Sequence, residues 1–389
     1  MPWCTSLRER ALALLGNSDS AATRIFFAPG RANLLGAHMD YNGGCVLPVA
    51  LSRGTYGAFR LRQDGMLRLR SENFPGEEIE LPLSALKPGR TQGWSAYIEG
   101  ALWTSFKEWE ALPGLEVALA ADLPMAKGLS SSASVESVTV FAVSQLLGVR
   151  ADADEMIRLA HEAENHYVGV RCGILDQAAI FLAREDSMLL LDCLELTREH
   201  LPLDSAKAMV AITDSGVRRN LASSAFNQRV SECTRALAHI QEKCAGITCL
   251  RDVRRELFEE VRDHLPPVLQ RRVMHVVSEV ERTEKGADGL RHGDLHAFGN
   301  AMTGAHESLR DQYEVSTPEL DLLVEAAVSI PACYGSRLTG AGFGGCTAAL
   351  VHPEGVEEFS RKVPEIYRRK TGRQTEVLWF SPSGGPQEI

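Results

Sequence analysis

Apolar and polar positions along the chain follow two different patterns. Val46 to Ala50, Thr55 to Leu61 and Met66 to Leu69 are short runs with turn-forming residues between them, and read as three strands. Leu115 to Ala120 and Ser187 to Asp192 read as further strands. From Ser131 to Leu147 the pattern turns helical, and Gly148 is placed to stop that helix. Asp154 to Tyr167, Ser223 to Gln241 and much of Arg271 to Lys285 are also helical in pattern. Strands and helices mix without the strict alternation of a doubly wound sheet, so the expected fold class is α+β.

The length changes this picture. A chain of 389 residues exceeds the size at which a single hydrophobic core stops growing, so two domains with a cleft between them are expected. The boundary is expected near Leu201 to Ala206, where a Pro- and Asp-containing stretch follows a strand. That gives an N-terminal domain over 1–205 and a C-terminal domain over 206–389.

Composition mainly excludes. No apolar run approaches the roughly eighteen residues of a membrane span, and Met1 to Arg10 has no apolar signal core. A net charge of −10 argues against nucleic acid as the main partner but leaves a local anion site open. Nine cysteines are scattered with no CxxC pair, so most are expected to be buried small hydrophobes in a reducing compartment. A cytoplasmic enzyme acting on small molecules, away from membranes, is the expectation.

Three segments carry candidate chemistry. In Ala28 to Gly44, glycines and Pro29 bracket Arg31, Asn33, His38, Asp40 and Asn42. This is either a turn converging on a polyhydroxylated ligand or a decorated surface loop. Leu123 to Ser134 is a Gly- and Ser-rich stretch running into a helix, which presents unpaired N–H groups to a phosphate or else merely caps that helix. It lacks the GxxxxGK[ST] order of a Walker A loop. Tyr334 to Cys346 holds five glycines, which implies close backbone approach or a tight turn between strands. Between the last two segments, Glu164 and Asp176 flank a glycine turn and suit a metal ligand and a catalytic acid.

Taken in this order, the segments resemble the GHMP kinases, and within them the galactokinase branch. GRANLLGAHMDYNGG resembles the signature GRxNLIGEHxDYNGG, and LPMAKGLSSSAS resembles the phosphate loop PxGxGLSSSA. CGILDQ, HVVSEVERT, SLRDQYEVSTPELD and YGSRLTGAGFGGCT resemble later motifs of the branch. The resemblance spans about residues 26 to 350 and implies two α+β domains with the active site between them.

The same resemblance implies roles. Asp176 would take the proton of the anomeric hydroxyl, and Arg31 would sit beside it, keep it ionised and stabilise transition-state charge. Gly128, Leu129, Ser130, Ser131 and Ser132 would cradle the ATP phosphates, with Ser132 and Glu164 holding Mg²⁺. His38 and Asp40 would bind sugar hydroxyls, with Gly173 at the same pocket. Gly340, Gly342 and Gly344 would let the third segment pack on the phosphate loop.

Departures from the branch bear on the acceptor. Ala37 replaces an acidic residue that resembles a clamp on the sugar 6-hydroxyl, forfeiting a hydrogen bond of about 1.5–3 kcal/mol. It also removes a charge that would repel a 6-carboxylate by roughly 4 kcal/mol at an effective dielectric near 20, so alanine is expected to open the site to galacturonate or to a sugar lacking carbon 6. Arg171 stands where proline is usual, and either pairs with such a carboxylate or faces solvent. With Asn227 to Cys233 these features resemble plant galacturonokinases, so D-galacturonate 1-phosphorylation is the expected activity. Galactose and L-arabinose kinases are the alternatives, and a non-catalytic sugar sensor is the remote one. Phe226 replaces a tyrosine that reaches a sugar hydroxyl, so that bond is lost or supplied by another group. Lys127 either adds a cation near the ATP phosphates or points to solvent.

Overall fold

The computed structural model describes residues 2–16, 23–110, 112–123, 128–170, 172–217 and 222–389. Its first half is built on strands β1 (Thr23–Leu35), β2 (Cys45–Leu61), β3 (Met66–Ser71), β4 (Glu78–Pro82), β5 (Leu115–Ala121), β6 (Ser187–Asp192) and β7 (Arg198–Pro202). Helices α1 (Pro2–Leu15), α2 (Ser95–Glu108), α3 (Ser131–Leu147), α4 (Ala153–Glu162) and α5 (Leu175–Phe181) cover them. The second half comprises β8 (Met209–Asp214), β9 (Cys333–Thr339), β10 (Cys346–Val351) and β11 (Val377–Phe380). Its helices are α6 (Ala222–Gln241), α7 (Arg255–Val261), α8 (Pro267–Arg291), α9 (Leu295–Asp311), α10 (Pro318–Val328) and α11 (Val356–Thr371), and the short strand β12 (Gln387–Glu388) ends the chain.

The larger sheet runs β12-β1-β2-β5-β3-β4, with β6 on the far end of β2 and β7 beyond it. Period-two alternation in β1 sends neighbouring side chains to opposite faces. Ile25 and Phe27 pack under α1, while Phe26 and Ala28 pack with Ile98 of α2 and Ala133 and Val138 of α3. The smaller antiparallel sheet runs β11-β8-β10-β9. One face meets Leu323 of α10 and Phe359 and Val363 of α11. The other buries Val210 and Leu350 in a core shared with Leu34, Leu35 and Leu47 of the first sheet and Phe298 and Met302 of α9. Each such side chain removed from water contributes about 1.5–3 kcal/mol. That shared core presses the two sheets' elements together around β1 and the start of α3.

The fold is α+β, and several element boundaries differ from the sequence reading. Val46–Ala50 and Thr55–Leu61 are one strand of 17 residues, continuous because β1 pairs along it from Leu47 to Arg60, β5 pairs with Thr55 to Leu61, and β6 pairs with its start. The segment from Ala28 onward is strand as far as Leu35, not a turn. The helix starting near Asp154 gives way at Ala163 to a π-helical turn ending at Val168. The chain leaves the first sheet after Pro202 and enters the second at Met209, but β12 returns to pair with β1. Of the eight cysteines whose side chains are described, Cys233 and Cys346 are buried and the other six are half-buried. Among the described residues no helix is long and apolar enough to cross a membrane.

Candidate active site

The site is built where β1 breaks register. The pairing of β1 with β2 shifts between Pro29 and Arg31. A Cβ on the intervening Gly30 would lie 2.8 Å from the carbonyl oxygen of Leu129, so only glycine lets the backbone of the candidate phosphate loop come this close. The Arg31 N–H donates to that same carbonyl at 3.2 Å. The guanidinium of Arg31 then bridges two segments: Nε and Nη2 donate to Asp176 Oδ1 at 2.8 and 2.6 Å, and Nη1 donates to the Gly128 carbonyl at 2.7 Å. Asp176 lies in the first turn of α5, and its Oδ2 accepts from the Ser130 hydroxyl. Three segments remote in sequence therefore meet at one carboxylate.

The phosphate loop enters α3 through two left-handed residues, Gly128 at φ 73° and Ser130 at φ 55°. Ser130 occupies the N-cap position but its side chain does not cap the helix, because the hydroxyl is turned to Asp176. The first-turn N–H groups of this 17-residue helix therefore have no intrahelical or side-chain cap, and its dipole adds positive potential there. Leu129 is buried, whereas Ser131 and Ser132 are half-buried. Ser134 anchors the turn from beneath, its hydroxyl lying 2.8 Å from the Ala28 carbonyl and 2.9 Å from Thr55 Oγ1. Gly340 faces Gly128 with a would-be Cβ 3.8 Å from its Cα. Gly342 and Gly344 do not reach the phosphate loop; they accommodate Val315 and Val217, since the glycine run is the β9–β10 connection and only its first residue points that way.

Glu164 sits in the π-helical turn and is 6% exposed. Its Oε2 accepts from Gln177 Nε2 at 2.7 Å and from the Cys172 thiol at 3.2 Å. Gln177 also donates to Glu136 Oε2 at 3.1 Å, while Glu136 Oε1 is buried without a partner. Burial, then the Glu164 charge, pushes the Glu136 carboxyl up from its ordinary range, and the same two causes push up the Cys172 thiol. Two buried acids linked by one neutral amide are short of positive charge. Hard oxygen donors from Ser132 and Glu164 suit Mg²⁺ chemically, and this deficit fits a cation nearby. Among the described residues no group of three or more His, Cys, Asp or Glu could hold a metal, so ATP oxygens or water would complete the shell.

Within reach of the Asp176 charge lies the turn Gly36 to Asn42. Asp40 opens a 3₁₀ turn, and a Cβ on Gly173 would stand 3.2 Å from its Oδ2, so the CGILDQ segment packs directly on it. Burial, followed by the Asp176 charge, raises the Asp40 carboxyl above its usual range. His38 is buried in left-handed conformation, φ 59°, with its ring centroid 4.8 Å from that of Tyr313 and 5.7 Å from that of Phe226. Its Nδ1 lies 2.9 Å from the Tyr41 hydroxyl, which is 2.7 Å from the Tyr313 hydroxyl. Nε2 of His38 is buried with no partner, and burial, aided by His275 and Arg337, lowers its pKa to about 3. Phe226 thus stands in an aromatic cluster where Tyr41 and Tyr313 supply the hydroxyls.

Ala37 departs from expectation. It is 3% exposed and packed in a core cluster with Met39 and Val276, not opening onto a cleft by its side chain. Arg171 and Lys127 lie outside the described residues. The motifs in the sequence assign no role to Ser134, Gln177, Tyr41, Tyr313 or Glu279. All five stand inside quoted motifs, but nothing local to those motifs shows which partner each side chain finds.

Comparisons with known proteins point to one family. A family model for the GHMP kinase N-terminal domain matches residues 96–184, and one for the C-terminal domain matches 287–369. The galactokinase galactose-binding signature matches residues 15–61. A galactokinase of Roseiflexus sp. (strain RS-1) is 40% identical over 97% of this chain and 95% of its own length. A galactokinase of Bacillus subtilis (strain 168) is 37% identical over 95% of this chain and 96% of its own. The crystal structure of Lactococcus lactis galactokinase complexed with galactose superposes with a TM-score of 0.91 at 34% identity, covering 99% of this chain and 100% of that one. A mevalonate kinase structure shares the fold alone, with a TM-score of 0.68 at 20% identity over 92% of this chain and 99% of that one. The chain belongs to the galactokinase branch of the GHMP kinases, and is a phosphotransferase of the sugar 1-kinase family.

Proposed function

We propose that the protein transfers the γ-phosphoryl group of ATP to the anomeric hydroxyl of galactose, giving galactose 1-phosphate and ADP. The observation that carries this reading is the Arg31–Asp176–Ser130 constellation at the N-terminus of α3, in a chain whose full-length relatives are galactokinases. Asp176 accepts the proton of the sugar hydroxyl as its oxygen attacks phosphorus and the bond to ADP breaks. Arg31 holds the Asp176 carboxylate in place and offsets negative charge as it develops. The α3 N-terminus with Gly128 to Ser132 binds the phosphates. Ser132 and Glu164 would hold Mg²⁺, which would supply charge neutralisation on the phosphate oxygens. Asp40, Gly173 and His38 form the sugar side. Residues 1–205 and 206–389 serve as the two halves around this site, the tail strand β12 excepted.

Galacturonate, the acceptor suggested by the sequence, is the second reading. Its specific support is the alanine at position 37, since no carboxylate there repels a uronate. The similarity to galactokinases favours galactose instead, and the burial of Ala37 weakens the picture of an opened pocket. Comparing kcat/KM for galactose, galacturonate, glucuronate and L-arabinose with Mg-ATP separates the readings. Galactose is expected to be turned over best. A preference for galacturonate would replace the first reading by the second, and no ADP release with any sugar would remove both. In Ala37→Glu, unchanged discrimination between galactose and galacturonate would show that position 37 does not select charge.

A further inference from the structure

The turn that carries His38 and Asp40 is gripped from the opposite half of the molecule. Glu279 on α8 accepts from the backbone N–H of Gly36 at 2.9 Å and from that of Ala37 at 3.1 Å, both through Oε1. His275, one helical turn earlier, lies with Nε2 3.2 Å from the Ala37 carbonyl. That carbonyl can only accept, so Nε2 carries the proton, and Nδ1 accepts from the Ser308 hydroxyl at 2.8 Å. Both ends of residue 37 are thus fixed by two side chains of one helix.

The grip is built around a charge. Glu279 is fully buried, and a buried carboxylate needs compensation. Arg282 Nε donates to its Oε2 at 2.8 Å, and the buried Arg337 of β9 adds attraction. Burial by itself would raise the carboxyl, but Arg282 and Arg337, with His275 once that ring is protonated, hold it down at about 2. Gly36 at φ 80° and His38 at φ 59° are both left-handed, and His38 is not a glycine, so this turn must be held in shape by its surroundings. Arg337 also lies three residues before Gly340, which abuts Gly128 of the phosphate loop.

We propose that Glu279 is a positioning residue for the acceptor site: it sets the backbone of Gly36 and Ala37 so that His38 and Asp40 face the sugar. This rests on the kinase reading above for its functional half. Glu279→Gln keeps an acceptor of the same shape without the charge, and Glu279→Ala removes the grip. In Glu279→Ala the KM for galactose is expected to rise about tenfold or more, as for a misplaced binding group. The KM for ATP should stay within a few-fold, and Glu279→Gln should recover part of the loss. Equal loss in both KM values, or none in either, overturns the proposal. Hydrogen exchange on the Gly36 and Ala37 amides gives a second measure that needs no turnover. Exchange should speed up in Glu279→Gln relative to wild type, and unchanged protection sinks the clamp even if no sugar proves to be a substrate. A wild type that turns over no sugar while exchange responds as expected counts against the kinase reading alone. Should Glu279→Ala fail to fold, Glu279→Gln carries both measurements.

Discussion

Asp176 shows how a single side chain is specified by distant parts of the chain. Arg31 approaches it from β1 and Ser130 from the phosphate loop, so both carboxylate oxygens accept before any substrate arrives. Asp176→Asn keeps the shape but removes the proposed proton acceptor. We expect kcat to fall by a factor of about 10²–10⁴ while sugar affinity, read by calorimetry, changes little. A kcat within a few-fold of wild type would remove Asp176 from the proton-accepting role. The sequence reading placed Arg31 beside Asp176, but it assigned Ser130 to phosphate alone. Which of three adjacent serines turns to a carboxylate 46 residues away depends on the left-handed backbone at Ser130, and no local spacing encodes that. Ala37 shows the same limit from the other side. Its identity suggested an open pocket, but its burial is decided by α8, more than two hundred residues downstream.

Among elements, α3 and β6 were legible in the sequence because one period ran uninterrupted between breakers. β1 was not, since Pro29, Gly30 and the polar Arg31 and Asn33 look like a turn. They lie in a strand whose irregularity at Gly30 serves the neighbouring loop, and such an irregularity is set by tertiary contact. The buried hydroxyl of Ser134 is the corresponding anchor on the helix side. Ser134→Ala removes the hydroxyl that ties α3 to Ala28 and Thr55 of the sheet. It should lower unfolding free energy by about 1–3 kcal/mol in urea denaturation and raise the KM for ATP, because the phosphate loop is tethered through that turn. A loss of stability with an unchanged KM for ATP would show that the anchor does not position the loop.

At the scale of the whole molecule, the two halves are joined through buried ionisable groups, and this makes their union sensitive to acid. His275 is fully buried against Ala37, and its pKa is lowered to about 4, chiefly by burial. With an unfolded value near 6.5, the unfolded chain binds the proton first as pH falls. The neutral ring is therefore compatible with full stability above about pH 6.5, and stability is lost progressively between there and about pH 4. His38, lowered to about 3, acts in the same direction. Asp40 and Glu136, both raised, act in the opposite direction as they ionise with rising pH, so the total profile mixes signs. A difference measurement isolates one group. His275→Gln retains a donor for the Ala37 carbonyl but cannot titrate. The stability advantage of wild type over His275→Gln should therefore shrink as pH falls from 7 to 5, at a rate approaching about 1.4 kcal/mol per pH unit. Urea denaturation of both proteins at several pH values measures it, and an advantage that does not change with pH would mean that His275 is not the titrating link between the halves.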